Sequence, residues 1–334
     1  MSALDAAQLD DAMTRLAAGG TRVLSRAVTL VENGEPRGMD LLERVYASAP
    51  HPWVIGFTGV GGAGKSTLVP RVAEHFAAGG ERVAILAVDP SSPITGGAVL
   101  GDRIRSLNAP NDHIYFRSLA SRGGSGGLAT CIADVVRLMS AAGRRIVLVE
   151  TVGAGQSEVA IRDVAHATVV VTAPGLGDEV QAMKAGILEI GSVLVVNKAD
   201  LPGAEEAANT LQHVMALAPG AGHMHEGVNE AGDGHPLRWY PPVLRTCAQT
   251  GAGVDELIAR LSEHRDFLER SGEYARCNLA RDRARMDERL RVLLLERALA
   301  RARENGLWQA VEQRLRAGET DPMRAAREIV DAIH

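Results

Sequence analysis

The sequence predicts a doubly wound α/β fold with a mainly parallel sheet, extended by helices at both ends of the chain. From about residue 52, apolar runs of strand length alternate with stretches of helical periodicity. Several runs are continuously apolar, which is typical of parallel strands that helices cover on both faces. The seven runs are WVIGFT (53–58), RVAILAVD (82–89), IYFRSLA (114–120), RIVLVET (145–151), TVVVTA (168–173), SVLVVN (192–197) and PVLRTCA (242–248). Because ligands of such folds bind at the carboxyl ends of the strands, the residues after each run are candidates for a site.

Helical patterns without strand signals occupy both ends of the chain. Apolar residues at helical spacing in residues 1–50 predict an N-terminal helical extension, packed on the core or on a partner. Residues 51–268 form the predicted α/β domain. Residues 269–334 predict a long arginine-rich helix and two shorter ones, the last with Thr320 as its N-cap. Because this C-terminal arm has little core of its own, we expect it to pack against another subunit as a dimerisation element.

The composition narrows the class of protein. The 334 residues are 46% hydrophobic but only 3% aromatic, which predicts a large aliphatic core. A formal net charge of −5, with acids interspersed among the arginines, argues against nucleic-acid binding. No apolar run approaches the roughly 20 residues of a membrane span, and the acidic N-terminus lacks the order of a signal peptide. Three widely spaced cysteines form neither a disulfide framework nor a zinc pattern, so we expect a cytoplasmic protein.

Residues 59–66 read GVGGAGKS and match the phosphate-binding P-loop pattern G-x-x-x-x-G-K-[ST]. They lie between a predicted strand and a helix expected from Thr67, with Pro70 in its first turn. In such a loop, backbone N–H groups at a helix N-terminus face the phosphate oxygens. We expect Lys65 to reach the β- and γ-phosphates and the Ser66 hydroxyl to bind Mg²⁺. The predicted phosphate contacts are Gly59, Gly61, Gly62, Ala63, Gly64, Lys65, Ser66 and Thr67.

The sequence NKAD, residues 197–200, predicts which purine is bound. The Asp200 carboxylate can accept hydrogen bonds from N1–H and the exocyclic amine of guanine, whereas adenine offers no such pair of donors. An unpaired, desolvated carboxylate is costly, so Asn197, Lys198 and Asp200 favour GTP and GDP over ATP. After the seventh strand, Cys247 and Ala248 stand where P-loop GTPases usually have Ser-Ala, with backbone N–H groups facing the guanine oxygen. Cysteine would preserve a backbone contact but not a hydroxyl contact.

Acidic residues after two strands predict a magnesium site. Glu150 opens an acidic-x-x-Gly pattern, ending at Gly153, that binds Mg²⁺ indirectly and senses the γ-phosphate. Asp89 ends the second strand and Asp102 lies in the following loop, and both could reach a cation that prefers oxygen ligands. A helix N-cap is the alternative role for Asp102. Gln156 could orient the attacking water, with a surface glutamine as the alternative. The predicted catalytic residues are Lys65, Glu150 and Gln156, and the predicted metal ligands are Ser66, Asp89, Asp102 and Glu150.

Four segments together resemble the methylmalonyl-CoA mutase-associated GTPase family, of the MeaB/ArgK type. They are DPSSPITGGAVLGD (89–102), ETVGAGQSE (150–158), PGLGDEVQAMKAGILEI (174–190) and NKADL (197–201). The resemblance implies a homodimeric GTPase chaperone that gates cofactor loading of an adenosylcobalamin-dependent acyl-CoA mutase and protects that mutase from inactivation. It also implies that Asp89, Asp102 and Glu150 form the metal shell. Residues 175–190, with Asp178 and Lys184, would be a switch that reports the nucleotide state to the mutase.

The sequence departs from the family pattern at three places. Gly62 stands where the family often has proline, and residues 117–127 differ from the proline-containing stretch usual there. Residues 219–236 look like an insertion and carry His223, His225 and His235. These differences predict a divergent branch whose mutase acts on another acyl-CoA, such as an isobutyryl or hydroxyacyl thioester.

Two other functions stay open at this point. A small-molecule kinase would use the same P-loop, although no acceptor pocket or base is identifiable in the sequence. A nickel-insertion GTPase would use the histidines of residues 219–236, for which a surface loop is the other interpretation. Because no arginine finger is identifiable in cis, we expect slow intrinsic hydrolysis that the mutase stimulates.

Overall fold

The computed structural model describes residues 6–89, 112–120, 127–151, 157–176, 190–217 and 238–332. Its contacts divide the chain into two compact units, Met1–Leu279 and Ala280–His334. The strands are β1 (Trp53–Gly59), β2 (Val83–Asp89), β3 (Ile114–Ala120), β4 (Ile146–Thr151), β5 (Ala167–Thr172), β6 (Val193–Val196) and β7 (Val243–Arg245). The helices are α1 (Ala6–Ala17), α2 (Thr21–Glu32), α3 (Pro36–Ser48), α4 (Lys65–Ala78), α5 (Gly127–Ala141), α6 (Ser157–Val164), α7 (Ala204–Leu217), α8 (Val254–Arg270), α9 (Glu273–Glu304), α10 (Leu307–Arg316) and α11 (Pro322–Asp331).

The seven strands form one parallel sheet in the order β3-β2-β4-β1-β5-β6-β7, which confirms the predicted fold class. The sequence predicted a mainly parallel sheet, and every described strand pair is parallel. Strand β1 lies between β4 and β5, with Phe57 opposite Glu150 on one side and Val169 on the other. Because parallel strands end at the same edge, the residues that follow β1, β4, β6 and β7 meet there.

Both faces of the sheet are covered by helices. On one face, Phe57 and Leu148 pack with residues of α4, α7 and α8, such as Leu68 and Leu257. On the other face, Val54 and Val147 belong to a cluster with residues of α1, α2, α3, α5 and α6. The N-terminal helices therefore belong to the core of the α/β domain: all three pack on α5, and α2 also contacts β3. They bury leucine and valine residues that would otherwise face water.

The C-terminal unit contains most of α9, together with α10 and α11. Arg314 on α10 donates twice from Nη1 to the carboxylate of Glu328 on α11, at 3.0 and 2.9 Å. The prediction of Thr320 as the N-cap of α11 is wrong, because Asp321 caps that helix. Asp321 Oδ1 accepts from the backbone N–H groups of the second and third helical residues, at 2.9 and 3.0 Å. Pro322 is the first residue of the helix, a position that proline favours, so the cap is the residue directly before it.

The remaining expectations from composition concern membranes and cysteines. Among the helices that the structure describes, none is both long and apolar enough to cross a bilayer. All three cysteines are free thiols in the structure. Burial raises the pKa of the Cys131 thiol on α5 to about 12, so it stays protonated and poorly nucleophilic at neutral pH.

Candidate functional site

The P-loop forms the turn between β1 and α4. Helix α4 begins at Lys65, its N-cap Gly64 has the left-handed φ of +89°, and no side chain caps this end. Since the first N–H groups of a helix lack intrahelical partners, the start of α4 offers donors and a favourable dipole to an anion. The left-handed Gly64 lets the helix start two residues earlier than predicted. Pro70 is therefore the sixth residue of α4, and its placement in the first turn was wrong.

Lys65 is held on the inside of the P-loop. Its side chain is buried, and Nζ donates to the carbonyl oxygens of Gly59 at 2.7 Å and Val60 at 2.8 Å. The ammonium group is thus fixed beside the N-terminus of α4, where the helix dipole also favours negative charge. Two positive features therefore converge on the space that the loop encloses, as binding of a polyphosphate requires.

Of the described P-loop glycines, Gly59 is the one at which an added Cβ would meet the shortest contact. Its φ is +123°, and a Cβ built there would lie 2.1 Å from the carbonyl oxygen of Val171 on β5. A Cβ on Gly64 would lie 2.5 Å from Nδ2 of Asn197. At the tip of the loop, Gly61 and Gly62 are exposed, and a Cβ on either would meet no atom within 4 Å. Ala63 is buried, Ser66 is half-buried and Thr67 is exposed.

Replacing Gly59 with alanine is expected to destabilise the protein by more than about 2 kcal/mol, because both φ and the backbone of β5 forbid a Cβ. Gly61→Ala is the matched control: the same methyl group enters open space two residues away, so we expect less than about 0.5 kcal/mol. Urea unfolding measures both values. Equal stability of the two variants would contradict this geometry.

Asn197 connects the P-loop to the loop that follows β7. The side chain is buried, and Nδ2 donates to the carbonyl oxygen of Ala63 at 2.9 Å. Oδ1 accepts from Thr246 Oγ1 and from the backbone N–H of Ala248, both at 3.1 Å. Because both ends of the amide bind protein atoms, Asn197 fixes the distance between the phosphate loop and the NKAD loop. The sequence had grouped it with the residues that contact the base.

Lys198 and Asp200 lie exposed at the tip of the NKAD loop. Among the described residues, Lys198 is the one non-glycine with a positive φ, at +58°, a strained conformation typical of functional sites. Its Cε would lie 3.9 Å from a Cβ built on Gly64, so its aliphatic stem runs beside the P-loop. The loop is held by Ala199 N–H, which donates to the carbonyl of Thr246 at 2.9 Å. An exposed carboxylate at this position is available to a ligand seated over the strand ends.

Cys247 and Ala248 are buried behind the NKAD loop. The Cys247 N–H donates to the carbonyl of Ala252 at 2.9 Å, and the Ala248 N–H donates to Asn197 Oδ1. Both backbone donors that the sequence assigned to a guanine oxygen thus have protein acceptors. Their contact with a base stays a prediction, one that needs the Ala248 N–H to share its hydrogen between Asn197 and the ligand.

Glu150 is a buried carboxylate at the end of β4. It lies opposite Phe57 in register, so it shares the face of the sheet that α4 covers. The next residue, Thr151, donates from Oγ1 to Thr58 Oγ1 at 3.2 Å and lies 3.3 Å from the carbonyl oxygen of Phe57. This contact ties the end of β4 to the strand that enters the P-loop. Neither threonine was singled out from the sequence.

The structure leaves several predicted site residues untested. Within the described ranges, no three His, Cys, Asp or Glu side chains group as metal ligands. The backbone of Asp89 ends β2. The residues and segments outside the described part are the side chain of Asp89, Asp102, Gly153, Gln156, residues 177–189 with Asp178 and Lys184, and the loop with His223, His225 and His235.

The chain is similar to known proteins that are named as GTPases, as its P-loop and NKAD motifs predict. The family described as "Methylmalonyl Co-A mutase-associated GTPase MeaB" matches residues 24–306. A Pyrococcus abyssi protein named as a GTPase is 36% identical over 329 residues, covering 97% of each chain. GTPase ArgK of Escherichia coli is 33% identical over 279 residues, or 80% of each chain. The crystal structure of a LAO/AO transport system kinase shares the fold, with a TM-score of 0.69 and 22% identity over 99% of both chains.

These matches confirm the resemblance inferred from the four segments of the sequence. The family match covers β1 to β7 and the helices between them, and so includes the P-loop and the NKAD loop. The chain belongs to the MeaB family of methylmalonyl-CoA mutase-associated GTPases.

Proposed function

We propose that this GTPase binds GTP across the ends of β1, β4 and β6 and hydrolyses it slowly to GDP and phosphate. The observation that carries the proposal is the buried Asn197 amide, which joins the NKAD loop to Ala63 of the P-loop at 2.9 Å. Two motifs more than a hundred residues apart in sequence are thereby held at one edge of the sheet. Their separation is fixed before a ligand arrives, which lowers the entropic cost of binding.

The phosphates would be bound by Lys65 and by the N–H groups at the start of α4. The Ser66 hydroxyl and the buried carboxylate of Glu150 are oxygen donors, which suit Mg²⁺, and Asp89 and Asp102 would complete the shell. When bound, Mg²⁺ neutralises charge on the β- and γ-phosphates. In this proposal Gly153 senses the γ-phosphate and Gln156 orients the attacking water.

The guanine base would lie over the NKAD loop. Asp200 accepts from its N1–H and exocyclic amine, and the stem of Lys198 lies along the base and the P-loop. The loop of Cys247 and Ala248 closes the pocket. The exposed position of Asp200 supports this role, since a buried carboxylate would already need a partner in the protein.

The output of the GTP cycle would be a signal to an adenosylcobalamin-dependent acyl-CoA mutase in the cytoplasm. Residues 175–190 would act as the switch that the mutase senses, so that cofactor loading is gated by nucleotide state. The membership in a mutase-associated family supports this proposal. The three departures from the family pattern favour a mutase for an acyl-CoA other than methylmalonyl-CoA.

The protein would act as a homodimer through its C-terminal arm. Four apolar side chains of α9 within the C-terminal unit, Met286, Leu290, Leu293 and Leu294, are 46–61% exposed. Consecutive exposed leucines on a charged helix are typical of an interface. A second copy of the chain would cover them.

The test is co-purification of the full chain with candidate B12-dependent mutases, with the GTPase rate measured with and without each. We expect one mutase to co-elute and to raise the rate of phosphate release, and light scattering to count two GTPase chains per complex. If no mutase binds or changes the rate, the chaperone proposal is wrong. A labelled phosphate that moves to a small acceptor, and not to water, would favour the kinase alternative.

A further inference from the structure

Arg71 lies on the helix that follows the P-loop but binds the loop that follows β7. Its Nε donates to the carbonyl oxygen of Ala248 at 3.1 Å, and its Nη2 donates to that of Gln249 at 2.9 Å. The third nitrogen, Nη1, lies 3.3 Å from Glu74 Oε2, three residues along α4. All three nitrogens of this half-buried guanidinium therefore have acceptors, and its plane is fixed.

The two carbonyls that Arg71 binds belong to successive peptide units. In a trans peptide the N–H points away from the preceding carbonyl oxygen, so the Gln249 N–H points away from α4. The N–H of Ala248 donates to Asn197 Oδ1 at 3.1 Å. Ala248 is thus fixed by Asn197 at its N–H and by Arg71 at its carbonyl, and the loop has little freedom to tilt.

We propose that Arg71 is a positioning residue for guanine recognition, because it locks the loop after β7 to the helix that begins at the P-loop lysine. This inference rests on the proposed function, in which that loop and Asp200 enclose the base. Helix α4 carries Lys65 at its first residue and Arg71 at its seventh, so one rigid element sets both the phosphate site and the base site. The planar fork of arginine reaches both carbonyls, whereas lysine offers a single point of charge.

The experiment measures the binding of GDP, ADP and inorganic triphosphate to the full chain by titration calorimetry. In Arg71→Gln we expect GDP affinity to fall about tenfold, while triphosphate affinity changes less than about twofold. The ratio of GDP affinity to ADP affinity then falls by about the same factor. Arg71→Lys keeps the charge and the helix propensity, and we expect it also to lose most of the preference for GDP over ADP. Glu74→Gln is the matched control, since it removes the ion pair but leaves both bonds to the loop.

The outcomes separate this inference from the proposed function. A wild-type chain that prefers GDP, with an Arg71→Gln variant that is equally selective, overturns the inference alone. Equal losses for GDP, ADP and triphosphate indicate a general structural role and also overturn it. A wild-type chain that binds GDP and ADP equally overturns both the inference and the guanine-reading function.

Discussion

Replacing Lys65 with alanine is expected to lower the rate of GTP hydrolysis by at least about a hundredfold, with the fold retained. In the proposed function the side chain supplies the cation that faces the phosphates; in the structure its Nζ donates to the carbonyl oxygens of Gly59 and Val60. Truncation removes the charge from the site and leaves a space in which water could bind the two carbonyl oxygens. Phosphate release and nucleotide calorimetry measure the loss, and thermal unfolding measures the fold.

Arg15→Ala is the control for this variant. It also removes a basic side chain, but one that is exposed and pairs with Asp11 on α1, so turnover should match that of the wild type. Turnover in Lys65→Ala within a few-fold of the wild type would exclude the phosphate-binding role of the loop.

Replacing Asp200 with asparagine is expected to weaken GTP binding about a hundredfold and to create affinity for xanthosine triphosphate. In the proposed function the carboxylate accepts two hydrogen bonds from guanine, whereas an amide could donate to the oxygen that xanthine carries in place of the amine. The variant should therefore lose affinity for GTP and gain affinity for xanthosine triphosphate, whereas a misfolded variant would show only the loss of GTP affinity. Competition between the two nucleotides for the same chain measures both.

Asp255→Asn provides the matched control, since it makes the same chemical change on α8 at a side chain that is 91% exposed. We expect it to leave the affinity for both nucleotides unchanged. Unchanged GTP affinity in Asp200→Asn would remove the base-reading role of the NKAD loop.

The sequence predicted the features of this protein that depend on residues close together in the chain. The seven strands are short apolar runs, and each of them lies where the pattern placed it. The P-loop and NKAD are likewise contiguous motifs, which a sequence pattern identifies directly. The two errors concern helix starts, at Pro70 and Thr320, where a left-handed Gly64 and a proline at the first helical position set the boundary.

The features that the sequence could not predict depend on contacts between distant segments. Arg71 lies on α4 and its acceptors follow β7, so helical periodicity marks it only as a polar residue on a partly buried helix. The bond from Asn197 to Ala63 has the same origin. Amphipathic periodicity predicted the helices of residues 1–50 but not that they pack against α5.

The strand order also has a consequence for synthesis of the chain. Strand β1 pairs with β4 and β5, which are synthesised much later. Trp53 therefore cannot pair until Ile146 has left the ribosome, and Ile55 cannot pair with β5 until Ala167 has done so. Thr246 and Ala248, which bind Asn197 and follow β7, emerge later still. Such non-local pairing slows folding and exposes apolar strands to aggregation in the nascent polypeptide. Competence to hold a nucleotide therefore arises late in translation, after most of the polypeptide has been made.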